Sequence, residues 1–371
     1  MPSGCECQQA NTYLLFCYEI ISSLRYNFWQ FLVEFEGGWW YNKNVDENNM
    51  EGDIPMRYLY ASVVVLGIVS MLMPQLIALA LKHQFCDQPS ERKQQKQPMP
   101  LIGGLGIVIA FFAGYFLFIR SSDPKFLIVF LASMMVFLIG FVDDWYKTKG
   151  KEFAVWPRVL VQSAAIVMVY FAGIDFTGFT NPFTSTYVAL PEVLSFIFTF
   201  LWIFGLTTVI NWSDGMDGLA GSITAIASST LFVVALAKNR LDSAMMSVLL
   251  AAAILGFLRY NKFPAKTYMG DSGANFIGFL LAIISLDGAF KQATVVSIVI
   301  PILVLGVPIF DNIYVVLKRI LEGKPVYEAD ATQIHHRLAD TGLSPKQVVQ
   351  FLSLTSLCLS LVSIIILMLK I

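Results

Sequence analysis

The stretch that decides the fold is 193-VLSFIFTFLWIFGLTTVINW-212, which is followed at once by 213-SDGMDGLAGS-222. A helix needs about 20 consecutive, mostly apolar residues to cross the hydrocarbon layer of a membrane, and the first stretch meets that length without a charge. The second stretch contains two aspartates and three glycines within ten residues. Together they predict a membrane-spanning helix that ends in an acidic, glycine-containing turn at one membrane face.

The composition of the whole chain agrees with a membrane protein. Of its 371 residues, 56% are hydrophobic and 14% are charged, whereas a soluble domain is usually about a quarter charged. The mean hydropathy is +0.66. These values exclude a water-soluble enzyme, a disordered chain, a coiled coil and a disulfide-stapled secreted module. The five cysteines are scattered without metal-ligand or redox spacing, so no cysteine framework is expected.

Apolar stretches of spanning length recur along the chain and predict an all-α, polytopic membrane protein with about ten transmembrane helices. The ten predicted spans are 58–81, 101–119, 126–142, 155–174, 193–212, 218–237, 243–258, 272–287, 293–317 and 348–369. The fourth, seventh and eighth are short and have polar flanks, so their ends are the least defined. These spans make up a predicted integral membrane domain over residues 56–371.

Residues 1–55 form a separate N-terminal extension. They carry eight acidic and two basic side chains, while the remainder of the chain has a net charge of +5. The stretch 13–35 is aromatic and apolar but is interrupted by charges, which is compatible with an interfacial helix. No chemistry is assigned to this extension.

The distribution of lysine and arginine predicts the orientation. Sixteen basic residues fall in the loops after the odd-numbered spans and six in the opposite loops and C-terminus. Cytoplasmic loops are enriched in basic residues, so the first set is predicted to be cytoplasmic. We therefore expect a multi-pass membrane protein whose loops after the odd-numbered spans face the cytoplasm.

Six aspartates fall on the predicted cytoplasmic side, at helix ends or in turns: Asp143, Asp144, Asp214, Asp217, Asp271 and Asp311. One acidic residue at a helix end is usually a solvated cap, but six on one face favour a functional site. Carboxylate and amide oxygens with few histidines or cysteines nearby suit a hard cation. The group therefore predicts a Mg²⁺ site, with Mn²⁺ as an alternative ion.

Three other segments on this side predict phosphate binding. The helix start at 269-MGDSG-273 offers backbone N–H groups and the positive end of a helix dipole, although Asp271 as a simple N-cap is nearly as well supported. His335, His336 and Arg337 form a cationic segment opposite the carboxylates. The first loop, which contains Lys96, is either an anchor to anionic lipid heads or a clamp for a lipid-borne phosphate.

In combination, these motifs resemble the polyprenyl-phosphate N-acetylhexosamine-1-phosphate transferases, a glycosyltransferase 4 type family. The motifs are Pro100-x-x-Gly103-Gly104, Asp143-Asp144, Asn211-x-x-Asp214-Gly-x-Asp217-Gly-Leu-Ala, Gly270-Asp271-Ser-Gly273 and His335-His336-Arg337-Leu338. They occur in the family's order on alternate loops, and the resemblance covers about residues 56–350. The His-His-Arg-Leu ending is similar to bacterial enzymes that load GlcNAc-1-phosphate onto undecaprenyl phosphate, and the 325–330 stretch to those that initiate teichoic acid synthesis.

The resemblance implies an enzyme that transfers GlcNAc-1-phosphate from UDP-GlcNAc to undecaprenyl phosphate and releases UMP. It implies catalytic roles for Asp143 and Asp144, which would orient or deprotonate the acceptor. The metal ligands would be Asp271 and Asp214, with Asp217 and Asn211 adjacent. Substrate contacts would come from His335, His336, Arg337, Asn261, Tyr268 and Lys96, with Asn261 and Tyr268 near the uridine. Tyr268 as an interfacial aromatic anchor is an equally good interpretation on physical grounds.

Several alternatives stay open at this point. The donor is either UDP-GlcNAc, another UDP-N-acetylhexosamine or UDP-MurNAc-pentapeptide, and the reaction proceeds in one step or through a phosphoenzyme. A transporter or lipid flippase is the competing class, but such proteins place ionisable residues near the membrane midplane. The expected partners are the two substrates and the lipid bilayer. No nucleic acid is expected, and a homodimer is left open. The chain departs from the family at Gln333, where histidine is frequent.

Overall fold

The computed structural model describes residues 50–88, 97–119, 123–181, 184, 186–290, 295–323 and 332–369, with side chains omitted at 50–55, 289–290 and 295–297. Twelve α-helices form the described part of the protein. They are α1 (Met50–Lys82), α2 (Gly103–Phe118), α3 (Pro124–Thr148), α4 (Val155–Phe171), α5 (Glu192–Ser213), α6 (Leu219–Ala237), α7 (Leu241–Asn261), α8 (Gly270–Ser285), α9 (Val295–Val304), α10 (Gly306–Leu321), α11 (Ile334–Asp340) and α12 (Pro345–Met368). The all-α prediction is confirmed.

Two short antiparallel hairpins complete the described structure. Strands β1 (Cys86–Asp87) and β2 (Met99–Pro100) pair Cys86 with Pro100. Strands β3 (Gly178–Thr180) and β4 (Tyr187–Ala189) pair Phe179 with Val188. The first hairpin leads directly into α2 and therefore fixes where the Gly103-Gly104 motif enters the bundle.

The spanning helices follow the hydropathy pattern closely. Six helices are long and apolar enough to cross a membrane, namely α1 from Met56 onward, α3, α5, α6, α7 and α12. Helices α2 and α4 are shorter apolar helices of 16 and 17 residues. Helix α8 also has 16 residues and continues into a π-helical turn over Leu286–Phe290. The described residues thus form a polytopic membrane bundle, although fewer than ten helices reach spanning length individually.

The predicted ninth span is broken. Helices α9 and α10 meet at an angle of 83°. Pro308 lies in the first turn of α10 and has no N–H with which to continue the helical ladder from α9. The apolar pattern predicted one continuous span over these two helices. It did not predict the bend, which turns α10 away from the direction of α9.

Helix α8 lies at the centre of the bundle. Fifteen of its 16 residues are buried, the exception being Asp271. A helix that is apolar on all sides is stable only when other helices cover it. Here α8 packs against α2, α3 and α5. Its first turn therefore lies where several helix ends converge, and this is where the polar residues gather.

The predicted extension over residues 1–55 falls almost entirely outside the described residues. Only the start of α1 at Met50 belongs to the described structure.

Candidate active site

Two carboxylates and two cations form the centre of the site. Asp143, in the last turns of α3, accepts a hydrogen bond of 2.9 Å from Nη1 of Arg158, at the start of α4. The same nitrogen lies 3.4 Å from Oδ2 of Asp271, the second residue of α8. Lys147 Nζ lies 2.6 Å from Asp271 Oδ1 and 3.5 Å from Asp143 Oδ2. Three helices thus bring two acidic and two basic side chains into direct contact.

Lys147 and Arg158 were not predicted as site residues. They counted in the sequence only as basic residues that set the orientation. The spacing of Asp143 and Lys147, four residues apart on one helix face, was the available signal. Nothing in the local sequence links Arg158 to Asp143, because that contact depends on how α4 packs against α3.

Asp144 has a different environment from its neighbour Asp143. Its Oδ1 accepts from the backbone N–H of Asp271 at 2.8 Å, and its Oδ2 accepts from the N–H and the hydroxyl of Ser272 at 3.0 and 2.6 Å. The side chain is completely buried. Asp144 therefore caps the first turn of α8 from another helix, in the way that an N-cap carboxylate usually does from its own chain segment.

This cap corrects one expectation from the sequence. The N–H groups at the start of α8 were predicted to bind a phosphate of the substrate. The N–H groups of Asp271 and Ser272 are instead already satisfied by Asp144. The negative charge of Asp144 also sits at the positive end of the α8 dipole. These two N–H groups are therefore not available to bind a phosphate while Asp144 holds them.

Glycines allow the helix ends to meet this closely. A Cβ at Gly104 would lie 2.6 Å from the backbone nitrogen of Gly273, and one at Gly140 would lie 2.6 Å from Cα of Ser272. Gly270 has a φ of +74°, and a Cβ there would lie 2.5 Å from Asp144 Oδ2. The motif glycines thus serve backbone packing around the start of α8.

The acidic turn between α5 and α6 is held by the loop that precedes α8. Asp217 Oδ2 accepts from the N–H of Ala265 at 2.9 Å. Asn261 Oδ1 accepts from the N–H of Gly218 at 3.1 Å, and its Nδ2 donates to the carbonyl of Thr267 at 2.9 Å. Asn261 is buried, and both atoms of its amide are engaged. The contacts of Asn261 are thus structural, and its predicted uridine contact stays a prediction.

Asp214 differs from the other aspartates of the candidate site in its contacts. Among the described residues its carboxylate makes no hydrogen bond or ion pair, and the side chain is half-buried. Burial and, to a smaller extent, the charge of Asp271 together raise the pKa of Asp214 to about 7, while Lys147 opposes the shift. Asp214 therefore lies within electrostatic range of Asp271 and Lys147.

The four predicted metal ligands are not gathered into one cluster. In the described part of the chain, no group of three or more His, Cys, Asp or Glu side chains is arranged to hold a metal ion. Asp217 is directed to Ala265, Asp271 to Lys147, and Asn211 contacts Asp214 through its backbone carbonyl. Mg²⁺, however, needs only one or two carboxylates together with substrate phosphates. The assignment of Asp214 and Asp271 as Mg²⁺ ligands therefore stays a prediction.

The His-His-Arg segment lies against the acidic turn. His335 is buried, and an added Cβ at Gly215 would lie 2.2 Å from its Nε2. Burial and, to a smaller extent, His336, whose ring centroid is 4.3 Å away, together lower the pKa of His335 to about 4. Arg337 Nη2 donates to Asp311 Oδ1 at 3.1 Å. The structure thus brings His335 to the turn between Asp214 and Asp217, as a neutral ring.

Of the two remaining predicted substrate contacts, Tyr268 and Lys96, only Tyr268 is among the described residues. Tyr268 is partly buried, and its backbone pairs with Pro100 and Gly103. Burial raises the pKa of Tyr268 to about 12, with Asp217 adding to the shift, so its hydroxyl stays protonated at neutral pH. Lys96 lies outside the described residues.

Comparison with known proteins agrees with this geometry. The family model described as glycosyl transferase family 4 matches residues 126–289, from α3 to the end of the π-helical turn. A Bacillus subtilis (strain 168) protein named "Probable undecaprenyl-phosphate N-acetylglucosaminyl 1-phosphate transferase" is 35% identical over 310 residues, covering 84% of this chain and 85% of the relative. The chain belongs to glycosyl transferase family 4.

Other similar proteins carry the names of two different kinds of transferase. A decaprenyl-phosphate N-acetylglucosaminephosphotransferase of Mycobacterium leprae (strain TN) is 29% identical and covers 80% of both chains. A phospho-N-acetylmuramoyl-pentapeptide-transferase of Clostridium kluyveri is 27% identical, covering 83% of this chain and 98% of the relative. The protein is thus a membrane phosphotransferase that acts on a polyprenyl phosphate, and the transporter interpretation is dropped.

Proposed function

We propose that this transferase moves GlcNAc-1-phosphate from UDP-GlcNAc to undecaprenyl phosphate at the cytoplasmic face of the membrane, as the first membrane step of a wall polymer such as teichoic acid. The observation that supports it best is the convergence of Asp143, Asp271, Lys147 and Arg158 from three helices. Such a centre of alternating charge can hold both a metal ion and two phosphate groups. The relative with the GlcNAc name is also more similar than the pentapeptide transferase.

The proposed chemistry is a single displacement. An oxygen of the acceptor phosphate attacks the β-phosphorus of the donor, and the bond from that phosphorus to the oxygen shared with the α-phosphate breaks, so UMP leaves. The second pKa of a phosphate monoester is about 6, so the acceptor is already largely ionised at neutral pH. Catalysis then depends mainly on positioning and charge neutralisation. Lys147 and Arg158 would neutralise phosphate charge, while Asp143 would orient them.

Asp214 and Asp271 fit a Mg²⁺ ion. Asp214 offers an unpaired carboxylate beside Asp271, and the nearby negative charge favours a cation there. When bound, the ion would neutralise the donor pyrophosphate. Mn²⁺, which prefers similar oxygen ligands, is expected to substitute.

The identity of the donor sugar is tested by a direct comparison of donors. Three donors are compared in the test: UDP-GlcNAc, UDP-GalNAc and UDP-MurNAc-pentapeptide. The purified full chain is incubated with undecaprenyl phosphate, Mg²⁺ and each donor in turn, and UMP and the lipid product are quantified. We expect product from UDP-GlcNAc, none in the presence of EDTA, and recovery when Mg²⁺ is added back. Product only from UDP-MurNAc-pentapeptide would transfer the assignment to that branch of the family.

A matched pair of variants links the activity to the site. Asp271→Asn removes a carboxylate of the polar centre, whereas Asp123→Asn changes an exposed carboxylate at the opposite end of α3. We expect loss of transfer in Asp271→Asn and near-normal transfer in Asp123→Asn. Equal turnover in both variants would remove Asp271 from the mechanism.

A further inference from the structure

Asp311 lies where α10 meets α11, the next helix that the structure describes along the chain. It belongs to α10 and is buried. Its Oδ1 accepts from the backbone N–H of Ile334 at 2.8 Å and from Arg337 Nη2 at 3.1 Å. Ile334 is the first residue of α11, so Asp311 caps that helix from α10 and pairs with a cation one turn further along it.

Helix α11 and the residue that precedes it also contact the acidic turn and its flank. Gln333 Nε2 donates to the carbonyl of Trp212 at 3.0 Å, two residues before Asp214. His335 packs on Gly215 within the turn. Apolar side chains support the same arrangement, since Ile334 and Met216 pack against one buried cluster. Helix α11 is therefore held between α10 on one side and the acidic turn on the other.

Arg337 is partly fixed by these contacts. One guanidinium nitrogen is held by Asp311, and the guanidinium carbon lies 4.2 Å from the centroid of the Tyr314 ring. The Arg337 side chain is still 38% exposed. The guanidinium group is a planar fork, so holding one arm also orients the others. Without Asp311 the side chain would sample many rotamers, which carries an entropic cost when a ligand must order it.

We propose that Asp311 is a positioning residue of the transferase. It holds α11 so that His336 and Arg337 are presented beside the acidic turn, and it thereby sets the affinity for the nucleotide-sugar donor. The choice of UDP-GlcNAc as the donor rests on the proposed function. Asp311 itself contacts no substrate in this proposal, because both hydrogen bonds that its carboxylate accepts come from α11.

Steady-state kinetics of three variants test the role. Asp311→Ala removes both interactions, whereas Asp311→Asn keeps an oxygen for the N–H of Ile334 and loses the charge that holds Arg337. Asp340→Ala is the matched control, because Asp340 is an exposed carboxylate on the same helix. We expect the KM for UDP-GlcNAc to rise about 10- to 100-fold in Asp311→Ala, as is typical of misplaced positioning groups. Asp311→Asn should show a smaller rise, and kcat should change less than KM.

Hydrogen exchange without substrate gives an independent readout. Mass spectrometry of the full chain in detergent should show faster exchange over residues 333–340 in Asp311→Ala, with no change in α8. Arg337→Ala should raise KM without that faster exchange, since the cap on Ile334 is kept. Unchanged exchange in Asp311→Ala, or a fall in kcat at constant KM, would overturn the proposal. If the wild-type chain does not use UDP-GlcNAc, the donor assignment fails, while the exchange result still decides whether Asp311 holds α11.

Discussion

Two adjacent aspartates, Asp143 and Asp144, show how residues of the same type differ in role. Asp143 pairs with Arg158 and Lys147, whereas Asp144 accepts three hydrogen bonds from the start of α8. The sequence predicted the pair as catalytic residues. It could not separate them, because the difference arises from which helix packs against each carboxylate.

Asparagine substitutions distinguish these two roles. In Asp144→Asn one acceptor oxygen becomes an NH₂ group that faces N–H donors, so the cap on α8 is lost at a cost of about 1–2 kcal/mol. Asp143→Asn should reduce transfer with a smaller effect on stability, since Arg158 and Lys147 keep Asp271 as a partner. The measurement is thermal unfolding in detergent beside a transfer assay. Equal unfolding temperatures for the two variants would contradict the distinction.

His335 predicts a pH dependence of stability. Its pKa is lowered to about 4 by burial and by His336, whereas an unfolded histidine has a pKa of about 6.5. The stability from the neutral, buried ring is therefore fully present above pH 6.5 and is lost as the pH falls toward 4. Linkage gives a loss of about 2 kcal/mol at pH 5.

The test compares wild type with His335→Gln. Hydrogen exchange over residues 333–340 should become faster in wild type between pH 7 and pH 5, after correction for the intrinsic exchange rate. His335→Gln should show little additional change over that range, because glutamine does not titrate. The same pH response in both proteins would assign it to another group.

At the scale of the elements, the close contact between α3 and α8 depends on Gly140. An added Cβ would lie 2.6 Å from Cα of Ser272, which is backbone and cannot move aside as a side chain would. Gly140→Ala should therefore destabilise the protein by about 1–3 kcal/mol, as overpacked cores do. Gly205→Ala in α5 is the control, because nothing lies within 4 Å of the added carbon.

Thermal unfolding in detergent measures both glycine variants. A lower unfolding temperature only in Gly140→Ala supports the close backbone contact. Similar values for the two variants would contradict it.

The predicted spans show what hydropathy can and cannot specify. The long apolar stretches correctly predicted α1, α3, α5, α6, α7 and α12. Inside a bilayer there is no water to pair with backbone N–H and C=O groups, and a single segment can satisfy them by itself only as a helix. The bend between α9 and α10 was missed, since both halves are apolar and the break arises from Pro308 and local packing. The hydrogen bonds that Asp311 and Gln333 make were not predicted, for a related reason. Their partners lie on other elements.

At the scale of the whole molecule, the orientation in the membrane is a prediction from the basic residues. Lys151 follows α3 near the polar centre, and Lys238 follows α6. A protein with all five native cysteines replaced by serine can carry Lys151→Cys or Lys238→Cys. A membrane-impermeant maleimide applied to intact cells should label Cys at 238 and leave Cys at 151 unlabelled until the cells are opened. The reverse pattern would place the site on the outer face.

The neutralised start of α8 has a consequence for how the enzyme responds to its surroundings. Backbone amides are permanent binding groups, and here two of them are already used within the protein by Asp144. Recognition of anionic substrates then depends on long basic side chains and on a dissociable ion, whose contributions change with ionic strength. In the proposed mechanism, turnover should therefore rise with the free Mg²⁺ concentration and fall as the salt concentration rises.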